Sequence, residues 1–371
     1  MIYFDHAATT PMSSAALKTY LSIAQTVYGN PSSIHSAGRL AHKELRQARQ
    51  TIATAIGVHA DQIIFTSGGS EANNLAIKGY ALANQSKGKH LITTAIEHHS
   101  VLETMDYLAT QHGFEVTYLQ PVEGSISAQQ VKDALRADTI LVSIMYVNNE
   151  TGMILPIEEI ATVLADHPAR FHVDAVQAIG KLPIQLTNLA VDFLSASAHK
   201  FHGPRGVGFL FAADMHFHAL IHGGKQEGQR RAGTENLAGI AAMATALTQQ
   251  LENMESNTKL VQDLKDYLLE QLSPLPHYLN LPKNHLPYVL NVGLPDTLNE
   301  QVLMRLDLAG IALSSGSACT SGVIQTSHVL EALYGKKSHR LKESLRISLA
   351  ESNTKEEIDQ LIHQLSLILG V

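Results

Sequence analysis

One thiol stands alone in this chain. Cys319 lies in the run Ser314-Ser315-Gly316-Ser317-Ala318-Cys319-Thr320-Ser321-Gly322, and no second cysteine exists. It therefore has no intrachain disulfide partner and no place in a multi-cysteine zinc site. A thiol among Gly and Ser also lacks the apolar cover of a core cysteine. It is either an idle loop thiol or a nucleophile that can move. Lys200 follows a short apolar stretch and precedes Gly203-Pro204. At a sheet edge it is a solvated lysine; buried, it is an amine of lowered pKa suited to Schiff-base chemistry. Asp174 ends another apolar stretch, where a buried carboxylate needs a cationic partner. Ser67-Gly68-Gly69-Ser70 opens a helical pattern. It reads either as a plain N-cap at Ser70 or as an anion site made of free N–H groups.

A Schiff-base lysine, a buried aspartate and a phosphate-binding helix start together describe a site for pyridoxal 5′-phosphate (PLP). The aspartate would keep the pyridine nitrogen protonated. The adjacent His98 and His99, and the pair His199 and His202, form no His-Glu-x-x-His motif. A metal site with four close ligands is not indicated. A single histidine on the cofactor ring fits better, and spacing does not choose between His98 and His99.

The elements that must position these residues are legible as alternation. Strands are predicted at Gln62–Thr66, His90–Thr94, Glu115–Leu119, Ile140–Met145, Arg170–Val173, Val191–Ser195 and Val207–Phe211. Amphipathic helices fall at Glu71–Ala83, Ser100–Gln111, Ala128–Leu135 and Ile157–Ala165. Such alternation implies an α/β fold with a mostly parallel sheet between helices. The short link between the last two strands predicts a hairpin that breaks the parallel order. Five polar clusters follow directly on predicted strands: Ser67–Ser70, Glu97–His99, Asn148–Glu150, Asp174–Gln177 and Ser197–Lys200. Ligands of open α/β sheets bind at the carboxyl ends of the strands. A long helical pattern then runs from Thr234 to Leu272, interrupted near Glu255–Asn257. Strand-like Tyr288–Val292, helix-like Asn299–Ala309, the Cys319 run, helix-like His328–Tyr334, strand-like Ser344–Leu349 and helix-like Lys355–Leu369 complete a smaller α+β region.

Composition narrows the function. A net charge of −7 over 371 residues opposes direct nucleic-acid binding, which needs a basic surface. The run Lys336–Arg340 is read as a solvated face. No apolar run approaches the ~20 residues of a membrane span, and the acid in Met1–His6 is unlike a signal peptide. One cysteine fits the cytoplasm.

The residues resemble the cysteine desulfurases of the NifS/IscS type, PLP enzymes of aminotransferase fold type I in the class V family. The likeness covers nearly the whole chain. It rests on Tyr3–Pro11, Gly29–Ser33, Thr66–Asn74, Val147–Gly152, His172–Gln177, Ser197–Lys200, Arg231–Asn236 and the Cys319 run. The resemblance implies a large PLP-binding domain at 13–257. A small domain at 1–12 plus 258–371 would carry a mobile Cys319 loop. It implies that Lys200 holds the cofactor aldehyde, that Asp174 pairs with the ring nitrogen, and that Gln177 meets the ring hydroxyl. His98, rather than His99, would stack on the ring and shuttle protons. Gly69, Ser70, Ser197 and His199 would hold the phosphate, and Thr234 would reach the phosphate of a neighbouring subunit in a homodimer. Asn149 and Arg346 would hold the substrate carboxylate. The alternating pattern around Arg346 also turns it away from its apolar neighbours, toward either a carboxylate or solvent.

The implied reaction converts L-cysteine to L-alanine and leaves a persulfide on Cys319. The sulfur would pass to an acceptor protein, in iron–sulfur cluster assembly or tRNA thiolation. Selenocysteine cleavage, transamination and a non-catalytic relay are the alternative readings. Some positions depart from the family pattern: Lys225, Gly228, His202 and Ala350–Ser352. The chain ends soon after its last helix, so a C-terminal docking extension is not expected.

Overall fold

The computed structural model describes residues 1–316 and 326–371. Among them the strands are β1 (Ile2–Tyr3), β2 (Ile63–Thr66), β3 (His90–Thr94), β4 (Glu115–Leu119), β5 (Thr139–Met145) and β6 (Arg170–Asp174). They continue with β7 (Phe193–Ser197), β8 (Gly208–Ala212), β9 (Tyr278–Leu279), β10 (Val289–Gly293), β11 (Ile311–Ala312) and β12 (Ser344–Ser348). Seven of them form one sheet in the order β2-β8-β7-β6-β5-β3-β4. Strand β8 runs antiparallel to both neighbours, and the remaining pairs are parallel. Strand β2 therefore points the same way as β7, and all five polar clusters leave the sheet at one edge.

The sequence accounts for this arrangement. Every residue of β5 is buried, as a central strand covered on both faces requires. The helix His99–His112 crosses over between β3 and β4, and Ile157–Leu164 between β5 and β6. Gly208 pairs across with Thr66 on one side and Ser197 on the other. A Cβ there would lie 2.4 Å from the Ala196 carbonyl and 2.8 Å from Gly68 Cα. Only glycine lets β8 approach the Ser67–Ser70 turn so closely.

Two α-helices lie before the first predicted strand. Helices Ser14–Thr26 and Ser36–Ile56 both pack on Leu237–Glu252. The second buries Ala41, Leu45, Ala48, Ile52 and Ile56 on one face, the 3–4 spacing of an amphipathic helix, and ends at Gly57 in the left-handed conformation. The long helical pattern breaks at Asn253, between Leu237–Glu252 and Met254–Leu272. This is earlier than the expected Glu255–Asn257. Asn253 Nδ2 donates to the Gln249 carbonyl at 2.8 Å, the local backbone bonding that makes asparagine a helix terminator. The segment predicted as one helix at Glu71–Ala83 is α-helical at Gly69–Asn74, π-helical at Leu75–Gly79 and α-helical again at Tyr80–Asn84.

The chain ends meet. Strand β1 pairs with β11, and β12-β10-β9 form an antiparallel sheet. Isolated bridges join Asp5 to Ser348 and Ser314 to Arg346. One apolar cluster runs from Phe4 through Phe171 and Phe209 to Leu290, Ile347 and Ile358, so the seven-stranded and three-stranded sheets share a core; a second cluster around Leu75, Leu91 and Phe193 also packs on the large sheet.

Candidate active site

Lys200 ends the short 3-10 turn that follows β7. It is partly exposed, but its amine donates inward to the carbonyls of Ala7 at 2.6 Å and Ala8 at 2.8 Å. Burial, with the cations Arg346 and Lys181 nearby, brings its pKa down to about 7. A solvated surface lysine is thereby excluded. Gln177, four residues before Lys181, donates to the same Ala7 carbonyl at 2.9 Å. The segment Ala7–Ser13 is thus a strap lying against the lysine turn.

Asp174 ends β6 and is buried. It accepts from Asn73 Nδ2 at 2.7 Å and from the Val176 N–H at 3.0 Å. Both donors are neutral, so neither of these hydrogen bonds supplies the carboxylate with a cationic partner. His98 caps the helix His99–His112, its Nδ1 accepting from the Ser100 N–H at 3.1 Å. The residue is exposed as a whole, yet protein atoms crowd its ring, and its pKa is lowered. Burial contributes most; Asp174 pulls it up, and Lys200, His99 and His328 push it down. His99 instead packs its ring on His328, 4.7 Å between centroids.

An open cleft of about 480 Å³ is lined by Thr9, Ser67–Glu71, Ser197, His199, Arg205 and Gly206. The N-cap of its helix is Gly68 rather than Ser70, which corrects the plain-cap reading. Gly69 is a close approach: a Cβ there would meet Val176 Cγ2 at 2.6 Å. His199 Nδ1 lies 3.1 Å from Thr9 Oγ1. Burial, then the charges of Lys200, Arg205 and Lys181, lower its pKa to about 4, so it stands neutral at pH 7. Arg205 is a cation on this cleft that the sequence reading missed; it sits in a turn with no periodicity to mark it. Thr234 is exposed and does not line this cleft.

Arg346 lies on β12 and is 4% exposed, so the solvent-facing alternative does not hold. Its Nη2 pairs with Asp5 Oδ1 at 2.7 Å. Its Nη1 donates to the carbonyls of Asn149 at 3.0 Å and Gly316 at 3.5 Å. Asn149 is partly buried beside it. Next along, buried Glu150 meets Ser327 Oγ through Oε2, and that same oxygen lies 3.0 Å from where a Gly316 Cβ would be. Burial raises the Glu150 pKa, while Ser327 and the charges of Arg346 and His99 oppose it. Both flanks of the Cys319 run therefore converge on Glu150 and Arg346. Cys319 itself lies outside the described residues. Glu97 is a further buried carboxyl, pushed up to about 8 by burial against hydrogen bonds from Met145 N–H and Thr94 Oγ1.

The other departures from the family pattern have local accounts. Lys225 and Gly228 flank Glu227, whose carboxylate pairs with both Arg49 terminal nitrogens at 2.7 Å. In the basic run, Arg340 stacks over the rings of Tyr278 and Tyr334 at 4.4 Å each, so it is a packed residue and not part of a solvated face.

The residues fit PLP on structural grounds. The lysine amine has a low pKa, the hydrogen-bond donors to the aspartate are neutral, and the Ser67–Ser70 turn opens its helix on an open cleft. Fold and cleft together define a PLP-dependent α/β enzyme. The Aminotransferase class-V family model matches residues 2–361, and the chain belongs to that family, whose members depend on PLP. The chain is 43% identical to the "Cysteine desulfurase IscS" of Dictyoglomus turgidum, over 99% of this chain and 94% of that protein. Among solved structures, a "NifS-like protein" is 36% identical with a TM-score of 0.93, covering 100% of this chain and 99% of the other. A structure titled "SspA in complex with cysteine" is 35% identical with a TM-score of 0.85, covering 95% of this chain and 100% of the other.

Proposed function

We propose that this protein is a PLP-dependent cysteine desulfurase that leaves L-alanine and a persulfide on Cys319. The observation that carries the reading is the inward-held Lys200 amine of low pKa, set at the same sheet edge as Asp174 and the glycine cleft. PLP, when bound, supplies an electron sink for bonds at the substrate Cα. Lys200 holds the cofactor aldehyde and moves the Cα proton. Asp174 holds a proton on the ring nitrogen, and Gln177 meets the ring hydroxyl. His98 covers the ring and carries protons to and from the thiols. Gly69, Ser70, Ser197 and His199 hold the phosphate. Asn149 and Arg346 orient the substrate carboxylate, for which a guanidinium fork is suited.

At Cys319 the thiolate attacks the sulfur of the substrate. An S–S bond forms as the substrate Cβ–S bond breaks, and Cβ takes up a proton. An ordinary thiol, with pKa ~8.5, is only a few per cent ionised at neutral pH, so a base such as His98 assists. The sulfur then passes to an acceptor protein, an iron–sulfur scaffold or a tRNA-thiolation enzyme. The exposed Tyr28 and Ile34, 84% and 91% accessible, and the exposed Thr234 support a homodimer with shared sites. Two units, 13–257 and 1–12 with 258–371, are part of the same proposal, as is a cytoplasmic location. No helix among the described residues is long and apolar enough to cross a membrane.

The test is sulfur labelling. With L-cysteine carrying labelled sulfur, the wild-type chain acquires label on Cys319, while Cys319→Ala binds PLP and releases no sulfide above background. Full turnover by Cys319→Ala would overturn the persulfide step.

A further inference from the structure

Two of the departures from the family pattern touch each other. His202 Nε2 lies 3.2 Å from Glu351 Oε1. His202 has a φ of 62°, the left-handed region that few non-glycine residues occupy. From there it makes contacts in several directions. Its N–H donates to Thr10 Oγ1 at 2.9 Å, its carbonyl accepts from the Ser13 N–H at 2.9 Å, and its Nδ1 lies 3.0 Å from the Pro11 carbonyl. Both ring nitrogens thus face oxygen acceptors, the Pro11 carbonyl and the Glu351 carboxylate. Glu351 Oε1 also accepts from Gln250 Nε2 at 3.1 Å, on the helix Leu237–Glu252. Burial pushes the Glu351 carboxyl up, but the bonds from His202 and Gln250 outweigh it and hold the group at about 2. The pair joins the lysine turn, the strap, that helix and the segment after β12.

Gln177 and Ser348 Oγ also hold the strap at Ala7, and the His199 carbonyl holds it at Thr10; one further holder has a conditional grip. The Lys200 amine donates to both Ala7 and Ala8. If that amine is taken up by the cofactor aldehyde, as the proposed function has it, it would no longer be free to donate to both carbonyls. His202 and Glu351 do not depend on that amine. They sit behind it, around a small cavity also lined by His6, Lys181 and Tyr288.

We infer that His202 and Glu351 form a positioning clamp that keeps the Ala7–Ser13 strap and the Lys200 turn in place while the Lys200 amine is engaged elsewhere. The inference rests on the reading of Lys200 as the cofactor lysine.

The experiment is hydrogen exchange by mass spectrometry on the PLP-loaded enzyme, comparing wild type, Glu351→Ala, His202→Asn and the double variant. Asparagine tolerates positive φ, so His202→Asn removes the ring contacts without adding backbone strain. Each single variant is expected to speed exchange over residues 5–13 by at least about tenfold. The double variant should be no faster than the singles, because one clamp is lost either way. The visible circular dichroism of the bound cofactor should change in all three, which a purely remote packing defect would not cause. Peptides over Val289–Gly293 and Lys355–Leu369 serve as the folding control. Should an alanine variant unfold, Glu351→Gln, which keeps an acceptor, is expected to show partial loosening confined to residues 5–13. Unchanged exchange in both single variants, or additive loosening in the double, would overturn the clamp. Borohydride reduction and peptide mapping test the Lys200 reading separately: a label on another lysine overturns the assignment beneath the inference, whatever the strap does.

Discussion

Asp5 and Arg346 stand 341 residues apart in the chain and 2.7 Å apart in space. The pair fixes one arm of the guanidinium. The other arm rests on the carbonyls of Asn149 and Gly316, which bind less strongly than a carboxylate does. A substrate carboxylate would displace the weaker contacts first.

Arg346→Lys is therefore expected to raise KM for L-cysteine by about tenfold to a hundredfold, the loss of a charged hydrogen bond worth roughly 1.5–3 kcal/mol. Lysine keeps the charge but not the fork. Steady-state kinetics check this, with the cofactor absorbance expected to stay as in wild type.

Gly208→Ala places a methyl against two stretches of backbone, the Ala196 carbonyl and Gly68. Neither can rotate aside as a side chain can. The substitution should cost about 1–3 kcal/mol of stability and weaken PLP binding, because the strand is pushed off the phosphate cleft. Urea denaturation and a PLP titration measure the two effects.

Glu150→Ala removes the group on which both flanks of the Cys319 run converge. Persulfide formation should slow by tenfold or more, taking about 1.4 kcal/mol per decade, while PLP absorbance is retained. Glu150→Gln keeps a partner for Ser327 and should recover part of the rate. Single-turnover labelling with L-cysteine distinguishes them.

Cofactor-free protein should become more stable as pH rises from about 7 to 9. The amines of Lys200 and Lys181 have pKa values of about 7 and about 8 in the fold, below the ordinary 10.5. The unfolded chain binds more protons in that window, so the slope of stability against pH is positive. Lys181→Met should flatten the slope in urea titrations run across the window.

Most of the longer strands were legible because buried apolar runs of four to seven residues bounded by polar turns leave little choice of element; the two-residue strands β1, β9 and β11 were not. Lys200, Asp174 and the Ser67–Ser70 turn were legible because each ends such a run. Glu150, Arg205 and the His202–Glu351 contact were not. Their meaning lies in partners that no spacing reveals: Glu150 meets Ser327 across 177 residues. The cap at Gly68 was misassigned to Ser70 because side-chain propensity favours serine. The close approach of Gly208 to that turn is a tertiary constraint.

The strap has one more consequence, for the order in which the site can form. Ala7–Ser13 emerges early in synthesis, but the turn it holds comes at residue 200 and the arginine beside it at 346. Contacts of such sequence separation form slowly, and domains tend to fold as they emerge from the ribosome. The cleft of Thr9, Ser197, His199 and Arg205 can assemble once β8 is made. Arg346 joins only after β12 is complete, so, on the proposed assignment of these residues, a nascent chain would hold a cofactor before it is equipped to choose its substrate.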